Sequence, residues 1–173
     1  MPASRRNWEL KARCPDQEAA AQQVGRLGAR YTGLEVQTDT YFRVPKGRLK
    51  LREIEGQQPA LIGYSRPDQT GARLSSYHLV PVADAAAMKT ILTETLGVRG
   101  VVSKRRHIWL WENVRIHLDE VAGLGSFVEF EAVLTSPVEE VAAPGQLNEL
   151  CQALQIAAND LLAPSYGDLM GFV

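Results

Sequence analysis

Arg115-Ile116-His117-Leu118-Asp119-Glu120-Val121-Ala122-Gly123-Leu124-Gly125-Ser126-Phe127-Val128-Glu129-Phe130-Glu131 is the stretch on which the reading of this chain turns. Polar side chains fall at 115, 117 and 119 and again at 129 and 131, with apolar residues between them. A spacing of two puts side chains on one face of a β-strand. Ala122-Gly123-Leu124-Gly125 separates the two runs and reads as the turn of a hairpin. The stretch is therefore two antiparallel strands sharing one charged face.

The same alternation recurs in Asn7-Trp8-Glu9-Leu10-Lys11, in Arg48-Leu49-Lys50-Leu51-Arg52 and in Lys104-Arg105-Arg106. One face of a sheet then carries Lys11, Lys50, Arg52, Lys104, Arg106 and Arg115 beside Glu9, Asp119, Glu129 and Glu131. If the sheet closes with that face inside, the lumen is a basic cage with an acidic corner. A solvated outer face would also alternate, since antiparallel sheets often have one dry and one wet side. Wet faces, however, mix both signs within each strand. Here the strands segregate by sign, basic at 48–52 and 104–106 and acidic at 129–131. Like charges on neighbouring strands repel, so this face is expected to hold water, ions or ligand. On that reading the lumen has a surplus of cations, seven with Arg66 against four acids. Removing Arg52 or Arg106 should then leave the empty protein as stable or more so.

Between these strands the chain gives clear punctuation. Pro15-Asp16 opens a helix to about Leu27, stopped by Gly28. Val36–Val44 reads as a strand, Pro45-Lys46-Gly47 as a turn, and Ala60–Ser65 and Leu74–Val80 as further strands. Asp84 caps a second helix to Leu96, with Gly97 as its stop. Strands follow at about Val101–Trp111, Val114–Val121 and Ser126–Thr135. After Pro144, the recurrence of Leu147, Leu150, Leu154 and Leu161-Leu162 predicts a helical tail interrupted by Pro164, with a short last segment from Tyr166 to Met170. Eight strands joined mostly by hairpins, with three helical insertions, predict an α+β fold: a closed eight-stranded antiparallel β-barrel, or tunnel, with flanking helices. Closure also removes exposed sheet edges.

Bulk properties narrow the class. The 173 residues form one expected domain, 1–173, large enough for its own core. Apolar content of 45% and charged content of 23% are those of an ordinary globular protein. A net charge of −1 argues against a nucleic-acid or membrane-surface binder acting through its overall field. Cys14 and Cys151 have no metal-ligand spacing and read as reduced thiols of a cytoplasmic protein. Met-Pro-Ala-Ser-Arg-Arg is followed by a polar strand, so no secretory leader is expected, and no run spans a bilayer.

Chemistry follows from the residue types. Carboxylates are hard oxygen ligands for Mg²⁺ or Mn²⁺, which commonly bind phosphates as well. Arginine forks and lysine point charges match phosphate oxygens. His107 is out of phase with Lys104 and Arg106 and is expected outside the lumen. His117 is in phase and suits orienting a carboxylate or moving a proton. Ser75, Ser76 and Ser103 lack a nearby base, and Gly123-Leu124-Gly125 lacks the following helix that a phosphate loop needs. Trp8, Trp109 and Trp111 are expected to pack under helices.

In this order and spacing, the motifs resemble those of the CYTH superfamily, or triphosphate tunnel metalloenzymes. Asn7-Trp8-Glu9-Leu10-Lys11 is similar to the family's E-x-E-x-K signature, with Asn7 at its first acidic position. Thr38-Asp39-Thr40-Tyr41-Phe42, Leu49-Lys50-Leu51-Arg52 and Ser103-Lys104-Arg105-Arg106 resemble its second-strand, L-R-x-R and K-x-R elements. His117-Leu118-Asp119-Glu120-Val121 through Gly125-Ser126-Phe127-Val128-Glu129-Phe130-Glu131 is the most specific match, and Ser165-Tyr166-Gly167-Asp168-Leu169 resembles the closing segment. The family's Tyr-Lys element reads Tyr64-Ser65-Arg66-Pro67, so Arg66 stands in from a shifted position.

The resemblance implies a closed eight-stranded tunnel with Glu9, Glu129 and Glu131 as ligands of Mg²⁺ or Mn²⁺ and Asp119 near them. It implies a triphosphate cradle of Lys11, Lys50, Arg52, Arg66, Lys104, Arg106 and Arg115, with Lys11, Arg52, Arg106 and Asp119 serving catalysis. The expected function is metal-dependent hydrolysis of an inorganic, thiamine or nucleoside triphosphate. Class IV adenylate cyclase activity, making cyclic AMP from ATP, is the alternative, and a non-catalytic nucleotide or polyphosphate binder stands further off. The expected partner is a small-molecule triphosphate, with no nucleic acid and no membrane, for a monomer or homodimer.

Overall fold

A computed structural model describes residues 5–172, so the opening read for a leader lies, up to residue 4, outside the described residues. Eight strands close into an antiparallel barrel: β1 (Arg5–Arg13), β2 (Arg30–Phe42), β3 (Arg48–Ile54), β4 (Ala60–Ser65), β5 (Arg73–Pro81), β6 (Val98–Trp111), β7 (Val114–Val121) and β8 (Gly125–Leu134). Their order around the barrel is β1-β5-β4-β3-β2-β6-β7-β8. The quoted hairpin is β7–β8, with Arg115 opposite Glu131 and His117 opposite Glu129. Its turn relies on Gly123 and Gly125, whose φ values of 78° and 100° suit glycine.

The strands' outward residues bury against helices. Leu10, Ala12, Ile116, Leu118, Val128, Phe130 and Ala132 pack with Val24 of α1 (Gln17–Arg26) and with Leu147 and Leu150 of α3 (Pro137–Ala153). Trp8, Trp109 and Trp111 join this core as expected. A second layer sets Phe42 and Leu51 against Met88 and Leu92 of α2 (Ala85–Leu96). Asp16 and Asp84 cap α1 and α2, each accepting a backbone N–H at 2.9 Å.

Inside the barrel, one end is filled by Tyr41, Val102, Val121 and Phe127 around Tyr166 of the short α4 (Tyr166–Leu169), with Leu162 and Phe172 packed alongside. The C-terminal segment thus plugs that mouth. Asp168 fastens the plug. It accepts from Ser165 N–H and hydroxyl at 3.0 and 2.7 Å, from Arg48 at 3.1 Å and from Arg99 at 3.0 Å.

Four expectations need correction. β2 starts at Arg30 rather than Val36, because a bulge between Tyr31 and Gly33 breaks the alternation there. β6 starts at Val98, in register with the far end of β2. The third helix begins at Pro137, not after Pro144. Ser136 and Glu139 form a capping box and Pro137 sits in the first turn. Pro144 is carried inside the helix, where Ala143, Leu147 and Leu150 bury on the barrel. Finally, the tail does not stay helical through Leu161-Leu162. A 3₁₀ turn at Ala158–Asp160 leads to a bridge between Leu161 and Ala12, and Leu162 N–H donates to the Lys11 carbonyl at 2.9 Å. That pairing carries the chain across the barrel mouth to the plug.

Candidate active site

The lumen-facing positions of β1, β3, β6, β7 and β8 open onto one cavity of about 160 Å³. Lys11, Lys50, Arg52, Arg66, Lys104, Arg106 and Arg115 line it, as do Glu9, Glu129 and Glu131. The structure thus brings together at the cavity every charged residue that the sequence placed inside except Asp119, which is fully buried beneath Arg106 and Tyr166. His107 is outside, its Nδ1 paired with the Tyr31 hydroxyl at 3.0 Å.

Two acids organise the cations. Asp39 of β2 lies opposite Arg52 in the ladder, and its carboxylate receives Lys50 at 2.8 Å, Arg52 Nε at 2.7 Å and Arg52 Nη2 at 2.8 Å. Lys104 Nζ is 3.8 Å away. Burial alone would raise this carboxyl, but the Arg52 and Lys50 charges and then Lys104 hold it well below the usual range. Asp119 plays the same part for Arg106. The guanidinium makes a fork at 2.7 and 2.6 Å, and the Tyr166 hydroxyl donates to Oδ2 at 2.6 Å. Against burial, Arg106 and Lys104 keep Asp119 ionised.

The third acidic group is shared with the cavity. Glu129 accepts from Arg106 Nη2 at 2.7 Å, and Lys11 Nζ lies 3.8 Å from its other oxygen. Burial opposes ionisation, but Lys11 and Arg106 hold Glu129 well below the ordinary value. Glu9 sits opposite Glu131 in the β1–β8 ladder, and its Oε1 meets Arg66 Nε at 3.2 Å and Arg73 Nε at 3.0 Å. Glu131 is different: burial, then Glu129, push its carboxyl up. A carboxylate beside another carboxylate is a place where a cation lowers the energy.

The lysines show the converse. Burial, then Arg52, lower Lys50 to about 8 despite Asp39. Burial followed by Arg106 takes Lys104 well below its ordinary value. Burial also lowers Lys11. Tyr166 supports two of these ammonium groups from the plug, its ring centroid lying 3.7 Å from Lys11 Nζ and 5.1 Å from Lys104 Nζ.

The donors fit a divalent ion. Ligating atoms of His117, Glu129 and Glu131 all lie within 4.8 Å of one another. The Asn7 Oδ1, buried on the cavity wall, has no hydrogen-bond partner. An orphaned oxygen beside repelling carboxylates is what a hard cation satisfies.

Sequence reasoning missed Asp39 as the counter-ion of the cradle, and it missed Arg73, which is fully buried on Glu9. Asp39 was readable by phase, being inward with Gln37 and Tyr41. Arg73 borders the Pro67–Gly71 loop, where no alternation gives it a face.

These features define a tunnel protein with a basic lumen, and the chain belongs to the CYTH domain family, whose model matches residues 5–166. A Methanocaldococcus jannaschii protein named "Putative adenylate cyclase" is 25% identical, the match covering 94% of this chain and 97% of that one. A Pyrococcus horikoshii protein of known structure superposes with a TM-score of 0.78 at 24% identity, over 94% of this chain and 98% of its own. A Hippeastrum protein, described as a "Putative adenylyl cyclase" that reveals a dominant triphosphatase activity, gives a TM-score of 0.61 at 18% identity, covering 96% of this chain and 94% of its own. These structural likenesses establish the fold. Among the described residues, no helix is long and apolar enough to cross a membrane.

Proposed function

We propose that this chain is a metal-dependent phosphohydrolase acting on a triphosphate, whether inorganic, thiamine or nucleoside. One observation carries the reading: a single cavity is lined by lysines and arginines of β1, β3 and β6 together with the carboxylates of β8. The Hippeastrum relative, with its dominant triphosphatase activity, supports the same direction.

In this reading Lys50, Arg52, Lys104 and Arg106 bind the phosphate oxygens and neutralise charge as it develops on them. Asp39 and Asp119 hold those cations in place. Asp119, expected among the metal ligands, has both oxygens engaged by Arg106 and Tyr166, so its part is to position Arg106. Lys11 spans Glu129 and the Tyr166 ring, where it meets the end of the polyanion. Glu129 and Glu131, with Glu9 across the ladder, would hold Mg²⁺ or Mn²⁺. Such an ion supplies Lewis-acid polarisation of the phosphate oxygens. The plug bars water from one end of the lumen. The molecule so read is one domain over residues 1–173, working on a small molecule in the cytoplasm as a monomer or homodimer.

The second reading, cyclisation of ATP, draws on Ile62, Tyr77 and Leu79, which line the same cavity and offer a nucleobase an apolar surface. Turnover of tripolyphosphate, thiamine triphosphate and ATP with Mg²⁺ or Mn²⁺ separates the possibilities. Glu131→Gln is expected to lower metal-dependent turnover by at least about a hundredfold while the thermal transition is kept, since the ligand charge is lost. Undiminished turnover in that variant would remove β8 from the metal site.

A further inference from the structure

His117 is left over by this account. It faces the lumen from β7, opposite Glu129, and is 3% exposed. Its Nδ1 is buried without a hydrogen-bond partner. A histidine kept for packing or orientation would spend its ring nitrogens on hydrogen bonds. This one instead brings a nitrogen within 4.8 Å of ligating oxygens of both Glu129 and Glu131. On β1, the strand paired with β8, Asn7 offers a neutral amide where a carboxylate would have added an oxygen and a charge.

Resting on the metal–triphosphate reading, we propose that His117 is a direct metal ligand beside Glu129 and Glu131. The site is then a mixed nitrogen–oxygen one that prefers Mn²⁺ or Co²⁺ over Mg²⁺. Magnesium takes oxygen donors in near-octahedral array and gains little from imidazole, whereas first-row transition ions accept nitrogen, with affinity rising from Mn²⁺ to Co²⁺. An imidazole and the neutral Asn7 amide beside two carboxylates also leave the donor set less negative than an all-carboxylate one, which costs a hard, strongly hydrated ion most.

Pulsed electron paramagnetic resonance of Mn²⁺ bound to the full chain tests this, with and without tripolyphosphate. Histidine-selective ¹⁵N labelling is suited to it. The chain has three histidines. His107 pairs with Tyr31 outside the barrel, and His78 lies on the outward side of β5 between the lumen-facing Tyr77 and Leu79. The expected result is a nitrogen coupling that changes with the label. His117→Gln should abolish it and weaken Mn²⁺ at least about tenfold, with Mg²⁺ affinity, measured by competition, changed less than about threefold. Bound Mn²⁺ that shows no histidine coupling in the wild type overturns the assignment while leaving the metal site standing. Wild-type protein that binds no Mn²⁺ under either condition overturns the metal reading and this inference with it. The wild-type spectrum decides the matter even if the variant fails to fold.

Discussion

Arg106 illustrates how far a single residue's role depends on what lies behind it. From spacing alone it belongs to a repelling surplus of cations, whose thinning should cost the empty protein nothing. The structure reverses that sign. Arg106 is forked onto Asp119 and bonded to Glu129, all three buried. Breaking a buried pair leaves an uncompensated charge, at a cost of about 3–5 kcal/mol. Arg106→Ala is therefore expected to lower the apo melting temperature as well as to weaken tripolyphosphate binding, both measurable by thermal denaturation. Lys50 gives a pH dependence. Its folded value of about 8 lies below the 10.5 of a free lysine, so the charged form is disfavoured by folding. That penalty is fully present below about pH 8 and fades as pH rises toward 10.5, where the unfolded chain also releases its proton. A bound polyanion restores the proton, so metal-free tripolyphosphate affinity should fall as pH rises through 8. Lys50→Arg should flatten that part of the profile in calorimetric titrations. An unchanged profile would show that Lys50 does not meet the phosphates.

At the scale of elements, the strands were legible because their period of two carries opposite chemistry on opposite faces, charged inward and apolar under the helices. The failures have particular causes. The bulge at Tyr31/Gly33 hides the start of β2. The capping box at Ser136 and Glu139 was present as Ser-Pro-Val-Glu, but Pro144 drew the boundary to itself. The short last segment from Tyr166 was expected, but its role as a plug was not legible, because a four-residue helix has no period and its worth lies in long-range contacts. Tyr166 is the centre of those contacts. Tyr166→Phe keeps the ring beside Lys11 and Lys104 and removes the hydroxyl bonded to Asp119. A hydrogen bond to a buried carboxylate is worth about 1.5–3 kcal/mol. The variant should melt earlier by that amount and show faster hydrogen exchange in residues 165–171. Unaltered exchange would mean that the plug is held by Asp168 and its arginines alone.

For the molecule as a whole, closing the sheet turns five charged strands into one site, and that much could be read from the sequence. The distribution of partners inside could not. Asp39 and Asp119 sit in strands whose neighbours obscure their pairing, and only closure reveals that each acid serves a particular set of cations. The empty barrel is consequently a paired ionic lattice in which cations still outnumber acids, and not a bare positive cage. A polyanion entering it competes with the resident carboxylates for the same cations, and a metal ion on the β8 side relieves their repulsion. Phosphorus-31 NMR of the full chain with Mn²⁺ or Mg²⁺ and, in separate samples, tripolyphosphate, thiamine triphosphate and ATP tests the account most directly. It predicts metal-dependent growth of orthophosphate from at least one of these substrates. Pyrophosphate with cyclic AMP from ATP, or no turnover of any of the three, would contradict it.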